Sequence, residues 1–473
     1  MNILDIERNL SHASFYFQGT YVYPLIKQEL LLSRLSEHRE QFPREAAKTR
    51  AKIRTVLSVL RNAIRLSSQA RLKHYDYLFV DSASSRRYFK EGISYSIYCD
   101  FIMEKLAPKK SLLLELPSDR SVRYSGIATQ DIYYPDLDFI WIFIKSLFAR
   151  RRFEETEIMK AELDRFGVQV HKKELNRLLK RFRLYSQWAD RILRLSNPEY
   201  LFMVSPYSYI RMALVKMCKL RGIPVIELQH GQVSRQHYGY IYKHLENRDL
   251  IPDYFFAYGQ YYSDLLKEHS VIYKSGSIFN TGNLFLEENP QLDTGVYSEL
   301  VKEAGARKIL LISSQTTTRN EMKEVAGFLV ESLPEELFVI YKPHPMESDP
   351  PEYYADLKAY PNFYLVESPE LNSLDLLRIS DLHMTVYSTV FMEAYYFKVP
   401  TLFYHMEALS ENIIEFVDDT FYFLVRSREE LLKTLESLLS KQEKEAPGKG
   451  KIGFYQSDPW GSFCTAMKAI EGS

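Results

Sequence analysis

The segment that most constrains the fold runs from residue 200 to residue 231 and reads as a strand, a helix and a second strand. "YLFMVSP" is apolar and ends at a proline, "YSYIRMALVKMCKLRG" repeats apolar residues at helical spacing and ends at Gly222, and "IPVIELQHG" is apolar again. A β-α-β unit this compact sets its two strands parallel in one sheet through a right-handed crossover. We therefore predict an α/β protein with a parallel sheet.

The same alternation of strands and helices returns in the C-terminal half. Residues 285–306 are rich in Glu, Asn and Pro and lack periodicity, so they are the best candidate for a linker. We predict a helical N-terminal region at 1–75 and two Rossmann-like domains that face a cleft. The first domain, at 76–284, carries a helical insertion, and the second, at 307–473, ends in a helix that can cross back. The strands of the second domain are "KILLISS", "LFVIYKPHP", "FYLVES", "DLHMTVYS" and "VPTLFYH".

Charge and cysteine content exclude several classes of protein. The chain has 61 Lys and Arg against 61 Asp and Glu, so we expect no nucleic-acid partner, because such binding depends on clustered cations. Cys99, Cys218 and Cys464 form no CxxC or Cys/His pattern, which argues against a disulfide framework or a structural zinc site. The N-terminal "MNILDIERNL" is too charged for a signal peptide. These features favour a cytoplasmic protein.

The most apolar segment is "FIWIFIKSLF" at residues 139–148, which contains Lys145 and is followed by three arginines at 150–152. It is well short of the roughly 20 residues that cross a bilayer. We interpret it as a core helix with a solvated basic end. The alternative is peripheral contact with the inner membrane through its anionic surface.

Polar residues follow three strands of the C-terminal half, at the ends where ligands of open α/β sheets bind. Two prolines hold His344 in a set direction, from which it can donate a hydrogen bond to a phosphate oxygen while Lys342 adds charge. Hydroxyls before the helix predicted at 390–397 lie where free amides attract anions. The structural alternatives are a turn capped by His344 and an N-cap formed by Ser388 or Thr389. The candidate donor-binding residues are Ser313, Ser314, Gln315, Lys342, His344, Tyr387, Ser388, Thr389 and Glu393.

The sequence carries no common motif for a metal or a cofactor. GxxxxGK[ST], HExxH and GxSxG are absent, and no DxD-type motif follows a predicted strand. The GxGxxG spacing occurs at residues 448–453, in a charged loop and not after a predicted strand, so it does not indicate a dinucleotide site. With only 18 glycines, the chain would bind phosphate through side chains and helix ends rather than through a glycine-rich loop. We expect no metal and no cofactor.

Three motifs together resemble a known family. They are Gln-His-Gly at 229–231, Lys-Pro-His-Pro at 342–345, and the Ser-Thr turn that is followed by Glu393-Ala394 and by Val-Pro at 399–400. This order resembles bacterial capsule and surface-polysaccharide glycosyltransferases of the two-Rossmann-domain (GT-B) type. It is most similar to the transferases of sialic acid and Kdo, which use CMP-activated keto sugars and carry a His-Pro motif. The likeness covers roughly residues 200–405. One departure is Lys398, where such proteins often have Gly.

The resemblance implies roles for several residues. His344 would contact the donor phosphate and assist the departure of CMP, and Ser388 and Thr389 would bind the same phosphate. Glu393 would face the ribose of the nucleotide. Across the cleft, Gln229 and His230 would lie near the acceptor or the transferred sugar.

The residues around Gln229 leave the choice of general base open. Either His230 or Glu227 could accept the proton of the acceptor hydroxyl. Ser234 and Arg235 could bind the acceptor together with Gln229. Alternation along the strand places Glu227 and Gln229 on one side, so Glu227 is alternatively a buried partner that orients a neighbour.

We predict an inverting, metal-independent glycosyltransferase that moves a sugar from a nucleotide donor to a bacterial surface polysaccharide or a lipid-linked glycan. The best candidate for the donor is a CMP-activated keto sugar such as sialic acid or Kdo. One alternative is a CDP-polyol phosphotransferase of the teichoic-acid type, which the chain also resembles at the Lys-Pro-His-Pro and Ser-Thr turns. Another alternative is a sugar-nucleotide epimerase of the same layout. A non-catalytic glycan-binding module is disfavoured by three phosphate-type strand ends.

Overall fold

A computed structural model shows the fold. The structure describes residues 3–32, 72–90, 93–117, 126–129, 131–148, 152–235, 237–288, 295–344, 347, 351–367, 371–406, 409, 413–440 and 453–472. The chain divides into two compact units. Unit 1 consists of residues 1–288 and 454–473, and unit 2 consists of residues 289–453.

The strands are named in chain order. They are β1 (Tyr16–Phe17), β2 (Thr20–Tyr21), β3 (Tyr77–Ser82), β4 (Arg86–Lys90), β5 (Ile93–Ser96), β6 (Ser111–Leu116), β7 (Gly126–Ile127), β8 (Ile132–Tyr133), β9 (Tyr200–Val204), β10 (Val225–Leu228), β11 (Tyr254–Ala257), β12 (Ile278–Asn280), β13 (Lys308–Ser313), β14 (Leu337–Lys342), β15 (Phe363–Leu365), β16 (Leu382–Thr385), β17 (Thr401–Tyr404) and β18 (Tyr422–Val425).

The helices are named in the same way within the described residues. They are α1 (Ile3–Asn9), α2 (Tyr23–Ile26), α3 (Asp100–Lys105), α4 (Asp136–Phe148), α5 (Glu155–Arg165), α6 (Lys172–Ser196), α7 (Tyr209–Lys219), α8 (Gln260–His269), α9 (Leu284–Glu288), α10 (Gly295–Ala304), α11 (Arg319–Ser332), α12 (Ser373–Ile379), α13 (Val390–Tyr396), α14 (Arg428–Leu439) and α15 (Pro459–Glu471). Short 3₁₀ turns lie at His12–Phe15, Ala83–Ser85, Pro351–Tyr354, Leu357–Ala359 and Ile414–Phe416, and a π-helical turn lies at Lys27–Leu31.

Unit 1 is built on a seven-stranded sheet with the order β12-β11-β10-β9-β3-β6-β8. All of its neighbouring strands are parallel. The central strands are runs of buried residues, as expected where helices cover both faces of a parallel sheet. From β3 the chain moves one way through β6 to β8, and from β9 it moves the other way to β12. The direction therefore reverses between β3 and β9, and such a reversal is where open α/β sheets bind ligands.

Unit 2 is a six-stranded parallel sheet with the order β15-β14-β13-β16-β17-β18. This is the 3-2-1-4-5-6 order of a Rossmann fold, and its reversal lies between β13 and β16. One face packs against α11 and α14, and the other face packs against α10, α12 and α13. The helix α15, although it follows unit 2 in the chain, belongs to unit 1.

The helix α15 completes the core of unit 1. Phe463 stacks on Phe202 of β9 with ring centroids 5.8 Å apart, and it meets Phe256 of β11 edge-on at 5.4 Å. The segment before the helix runs so close to Gly282 that a Cβ atom there would lie 2.7 Å from the carbonyl oxygen of Gln456. Gly282 has a φ of 74°, so both its conformation and its surroundings require glycine.

Two sequence-based expectations differ from the structure, one in the N-terminal region and one at the predicted linker. Helix was expected throughout the N-terminal region, but β1 and β2 form a hairpin in which Gln18 and Gly19 take positive φ values of 48° and 77°. A two-residue turn of that kind suits a hairpin and breaks a helix. Residues 33–71, most of the predicted helical region, lie outside the described residues. The predicted linker at 285–306 contains most of α9 and all of α10, and residues 289–294 of it are likewise outside the described residues.

The apolar segment at 139–148 forms the helix α4, but the interpretation as a core helix is wrong. Trp141, Phe143, Leu147 and Phe148 are all more than half exposed. Of this helix only Asp136 and Ile142 are buried. Within the described residues, no helix is long and apolar enough to cross a membrane.

Candidate active site

In unit 1, His230 follows β10 directly and is surrounded by tyrosine hydroxyls. Tyr240 places its hydroxyl 3.3 Å from Nδ1, and Tyr207 places its hydroxyl 3.4 Å from Nε2. The hydroxyl of Tyr98 donates to the backbone carbonyl of His230 at 2.7 Å. The imidazole itself is half-buried. A half-buried ring with both nitrogens near hydroxyls has a fixed orientation, as a general base requires.

Glu227 lies beneath this histidine and is fully buried. Its Oε1 accepts a hydrogen bond from Tyr240 at 2.6 Å, and its Oε2 accepts one from Tyr273. Burial raises the pKa of Glu227 to about 8, although both hydrogen bonds act in the opposite direction. The carboxylate therefore contacts His230 through Tyr240 and has no surface open to a ligand.

Gln229 is buried and uses both ends of its amide within the protein. Its Nε2 donates to the carbonyl of Gly231 at 2.8 Å, and its Oε1 accepts from the amide of Tyr258 at 2.7 Å. These bonds tie the end of β10 to the end of β11. Ser234 is half-buried, and Arg235 is exposed. Of the three predicted acceptor-binding residues, Ser234 and Arg235 therefore have side chains open to solvent.

A small crevice opens beside these residues at the carboxyl ends of β10, β11 and β12. Tyr98, Gln229, Tyr258 and Asn283 contribute to its walls together with apolar side chains such as Phe463. Its lining mixes aromatic surface with a few polar groups, which is typical of small-molecule sites.

The reversal of unit 1, between β3 and β9, holds a half-buried cation that no sequence motif marked. Arg211, in the first turn of α7, has a buried Nε atom that makes no hydrogen bond within the described part of the chain. The nearest groups that act on its charge are Asp81, at the end of β3, and Tyr207. Asp81 already accepts hydroxyl hydrogen bonds from Ser85 and Ser96, both at 2.6 Å.

The connection from β9 to α7 is strained as well. Ser205 has a φ of 57°, a left-handed conformation that costs energy for a residue with a Cβ atom. Ser208 then caps α7 by accepting from the amide of Arg211 at 3.4 Å. Strained residues at a strand end of this kind are common in binding sites.

In unit 2, the three predicted donor-binding segments follow β13, β14 and β16, which are neighbours in the sheet. His383, a buried residue of β16, contacts hydroxyl groups of the neighbouring strands β13 and β17. Its Nε2 lies 3.1 Å from the hydroxyl of Ser313, and its Nδ1 lies 3.1 Å from the hydroxyl of Thr401. Burial lowers the pKa of His383 to about 3, so the ring is neutral. The Ser313 hydroxyl is therefore bound within the core, while the amide of Ser314 donates to the carbonyl of Lys342 at 3.0 Å.

The segment after β14 is a turn closed by Glu347. The amide of His344 donates to Oε1 of Glu347 at 3.0 Å, and the amide of Glu347 donates to the carbonyl of His344 at 2.8 Å. Tyr354 donates to the other carboxylate oxygen at 3.1 Å. The Lys342 ammonium donates to the carbonyl of Leu371 at 2.5 Å, and burial lowers its pKa to about 8. The turn thus fixes the backbone at His344. Burial makes the amine of Lys342 easier to deprotonate than that of an exposed lysine.

The segment after β16 is anchored at both ends. Tyr387 shares a hydroxyl hydrogen bond with Thr317, and the amide of Ser388 donates to Thr385 at 3.1 Å. Thr389 is exposed, and the helix α13 that follows has seven residues. Gln315, after β13, and Glu393, on α13, are half-buried. Of the predicted residues, those with side chains near the surface are therefore Gln315, Lys342, His344, Tyr387, Thr389 and Glu393.

The structure shows why Lys398 can occupy a position where the resembling proteins often have Gly. Lys398 follows α13 with a φ of 56°, a conformation in which glycine has no steric cost. The amide of Val399 donates to the carbonyl of Ala394 at 2.8 Å, as in helices that end in a left-handed residue. The chain therefore keeps the backbone that glycine would adopt.

Structural comparison of the whole chain finds solved proteins with a similar fold. A putative UDP-N-acetylglucosamine 2-epimerase from Listeria monocytogenes aligns with a TM-score of 0.50 and 16% identity over 84% of this chain and 95% of that chain. The UDP-GlcNAc 2-epimerase from Methanocaldococcus jannaschii aligns with a TM-score of 0.51 and 14% identity over 83% and 99%. The wall teichoic acid polymerase TagF aligns with a TM-score of 0.44 and 11% identity over 90% and 98%. The predicted α/β class, with parallel sheets in two domains, is confirmed.

Sequence comparison finds a family match for one segment of the C-terminal half. Residues 313–452 match the family described as CDP-Glycerol:Poly(glycerophosphate) glycerophosphotransferase. A comparison with curated proteins found no match. Within the described residues, no group of three or more His, Cys, Asp or Glu side chains is arranged to hold a metal ion. The matched segment begins at the end of β13 and contains the polar segments after β14 and β16, so this part of the chain is similar to a transferase family.

Proposed function

We propose that the protein transfers a polyol phosphate, such as glycerophosphate, from a CDP-activated donor to a hydroxyl group of a bacterial surface polymer. The observation that carries this function is the family match over residues 313–452, which spans all three polar strand ends of unit 2. In the reaction, the acceptor oxygen attacks the phosphorus that bears the polyol. A phosphodiester bond forms, the bond between that phosphorus and CMP breaks, and CMP leaves with the electron pair.

Unit 2 would bind the donor at the reversal between β13 and β16. Gln315, His344 and Thr389 present side chains at adjacent strand ends, where the diphosphate would lie. Lys342 would become fully charged beside a phosphate, because an anion favours the protonated amine. Glu393 would face the ribose, as the family resemblance implies. Ser313 would support the site through His383 rather than contact the donor.

Unit 1 would supply the general base, His230. When Glu227 is ionised, Tyr240 donates to it, and the oxygen of Tyr240 can then accept a hydrogen bond from Nδ1 of His230. That arrangement leaves the lone pair on Nε2, which can take the proton of the acceptor hydroxyl. Glu227 is thus a positioning residue. Arg211, near Tyr207, would add positive charge for a phosphate of the acceptor polymer.

Glycosyl transfer from a nucleotide sugar is the second candidate. The resemblance to sialic acid and Kdo transferases supports it, with a CMP-activated keto sugar as donor and inversion at the anomeric carbon. A sugar-nucleotide epimerase would turn over a nucleotide sugar alone. Neither alternative would produce a phosphodiester. For all three, the sequence leads us to expect turnover without a metal, so EDTA should not inhibit the reaction.

Ligand binding and product analysis test the function. In a thermal-shift screen of the full chain with CMP, CDP, UDP and GDP, we expect CDP or CMP to give the largest increase in melting temperature. With CDP-glycerol and a glycerophosphate oligomer, we expect release of CMP and growth of the oligomer by phosphodiester-linked units. Release of CMP from CMP-sialic acid or CMP-Kdo, with transfer of the sugar and no reaction of CDP-glycerol, would contradict the proposed reaction in favour of glycosyl transfer.

A further inference from the structure

The helix α4 carries a continuous apolar stripe on its outer side. Leu137, Trp141, Ile144 and Phe148 recur at spacings of three and four residues, so they lie on one face of the helix. Their exposed fractions are 56%, 58%, 38% and 78%. Phe143 and Leu147 widen the stripe, with exposed fractions of 58% and 64%.

This exposure is concentrated rather than scattered. Fourteen large apolar side chains are exposed in the described part of the chain, and six of them lie on this helix of thirteen residues. Single exposed apolar side chains are normal, but a contiguous patch marks a surface that meets a partner or a membrane.

The opposite side of α4 contacts α6 and β8. Asp138 accepts hydrogen bonds from the indole of Trp188 at 2.9 Å and from the hydroxyl of Tyr133 at 2.7 Å. Phe139 packs edge-on against Tyr185 and Trp188, with ring centroids 5.1 Å and 5.2 Å apart. Because these contacts fix the helix, the apolar stripe cannot turn toward the core.

Positive charge lies next to the stripe and on the helix that supports it, while the two aspartates of α4, Asp136 and Asp138, are in its first turn and Asp138 is paired with Arg191 of α6. The ammonium of Lys145 lies 5.5 Å from the ring centroid of Trp141, on the exposed half of the helix. The sequence continues with arginine at 150–152. The supporting helix α6 carries eight basic residues and two acidic residues. An apolar face bordered by cations is complementary to an anionic lipid surface.

We propose that α4 lies in the interface of an anionic membrane, with its apolar stripe among the acyl chains and its basic neighbours at the lipid phosphates. A helix of thirteen residues is about 20 Å long and fits along such a surface. A second copy of the chain is a poorer occupant, because pairing two such faces would bring like charges together. This inference does not rest on the proposed function, since it concerns neither the donor nor the chemistry.

The first test measures binding of the full chain to vesicles. We expect it to sediment with phosphatidylglycerol vesicles and to bind phosphatidylcholine vesicles at least roughly tenfold more weakly, because the lipid charge contributes. The double variant Trp141→Glu/Phe148→Glu should lose at least roughly tenfold in binding to phosphatidylglycerol. Leu220→Glu is the matched control, because Leu220 is 69% exposed and lies on neither α4 nor α6. Equal binding by the double variant and the control would overturn the inference.

The second test uses tryptophan fluorescence. The chain has three tryptophans, and the difference between the wild type and Trp141→Phe reports Trp141. Without lipid, acrylamide should quench Trp141, and with phosphatidylglycerol the emission should shift to the blue and resist quenching. Protection of Trp141 without lipid would show that another part of the chain, such as residues 33–71, covers the stripe. An oligomer that dissociates in the double variant and does not bind vesicles would assign the stripe to a second copy. Either result would overturn the membrane assignment.

Discussion

At the scale of single residues, the contacts of His230 determine what it can do as a base. Tyr240 lies near Nδ1 of His230 and donates to Glu227, so this tyrosine links the orientation of the ring to the buried carboxyl group. Tyr273 contacts Glu227 through the other carboxylate oxygen. The two tyrosines therefore provide a matched pair of variants.

We expect Tyr240→Phe to reduce the rate of transfer by about tenfold or more, and His230→Ala to reduce it by about 10² to 10⁴. Nucleotide affinity should hardly change in either variant, since neither residue belongs to unit 2. Single-turnover transfer and nucleotide binding, measured on the same preparations, check this. Tyr273→Phe is the control and should lose stability but little transfer. Normal transfer by His230→Ala would make it a packing residue, and lost nucleotide binding would assign it to the donor.

Glu227 makes the stability of the protein dependent on pH. Its pKa is about 8 in the folded chain, against an ordinary value of 4.5. Between these values the unfolded chain loses the proton while the folded chain keeps it, so stability falls as the pH rises from about 4.5 to about 8. Glu227→Gln cannot ionise, so its free energy of unfolding should decline less steeply, by up to about 1.4 kcal/mol per pH unit. Denaturant melts at several pH values measure both slopes, and parallel slopes would contradict the buried carboxyl.

Lys398 offers a gain in stability. Replacing it by glycine should relieve the left-handed strain and raise the free energy of unfolding by about 1 kcal/mol. Lys398→Ala removes the same side chain but keeps the strain, so it should not stabilise the protein. Thermal melts of both variants decide the matter. A Lys398→Gly variant no more stable than Lys398→Ala would show that the positive φ value does not destabilise the protein.

At the scale of elements, the turn after β14 joins a predicted functional residue to one that the sequence did not reveal. Glu347 closes the turn that carries His344. We expect His344→Ala to lower the rate of transfer by about 10² to 10³, because a preorganised donor to the leaving phosphate is lost. Glu347→Gln keeps an acceptor oxygen and should retain most activity. If His344→Ala instead melts several degrees earlier and its folded fraction is fully active, His344 is a structural turn residue.

Strands could be predicted from sequence far better than contacts. The buried parallel strands are short continuous apolar runs, and β9, β10, β13, β14 and β16 all appear where such runs predicted them. The same logic failed for α4, because apolar composition does not tell whether a helix faces a core or a membrane. The hairpin β1–β2 was missed because its only local mark is the Gln-Gly turn.

The sequence predicted the part of the candidate site that lies at strand ends. Strand ends can be located from the end of an apolar run, so His230 and His344 could be chosen as candidates. The tertiary fold alone brings Tyr207 and Tyr240 near His230 and Arg211 near Asp81, and nothing in their local sequence distinguishes these residues. Burial of Glu227 was open from alternation alone and is visible only once its two tyrosine partners are placed.

At the scale of the whole molecule, α15 links the stability of unit 1 to the far end of the chain. Phe463→Ala would leave a cavity against Phe202 and Phe256 and should cost about 3 to 5 kcal/mol. The loss should fall on unit 1, while unit 2 continues to bind nucleotide. Hydrogen exchange resolved by segment, together with CDP titration, checks this, and an equal loss of protection in both units would contradict it. The exposed Val301, on α10 of unit 2, gives the control variant Val301→Ala.

The helix α15 packs in unit 1 but follows unit 2 in the chain, so unit 1 cannot complete its core until unit 2 has been synthesised. Unit 2 is contiguous, so all of its strands and helices are available once residue 453 has been made. Unit 1 begins first but lacks the helix that covers Phe202 and Phe256 until residues beyond 453 emerge. Most of unit 1 precedes unit 2 in the chain, yet unit 1 is the later of the two to close its core. Its uncovered aromatic surface is therefore exposed to chaperones and to aggregation for the whole time that unit 2 is being made.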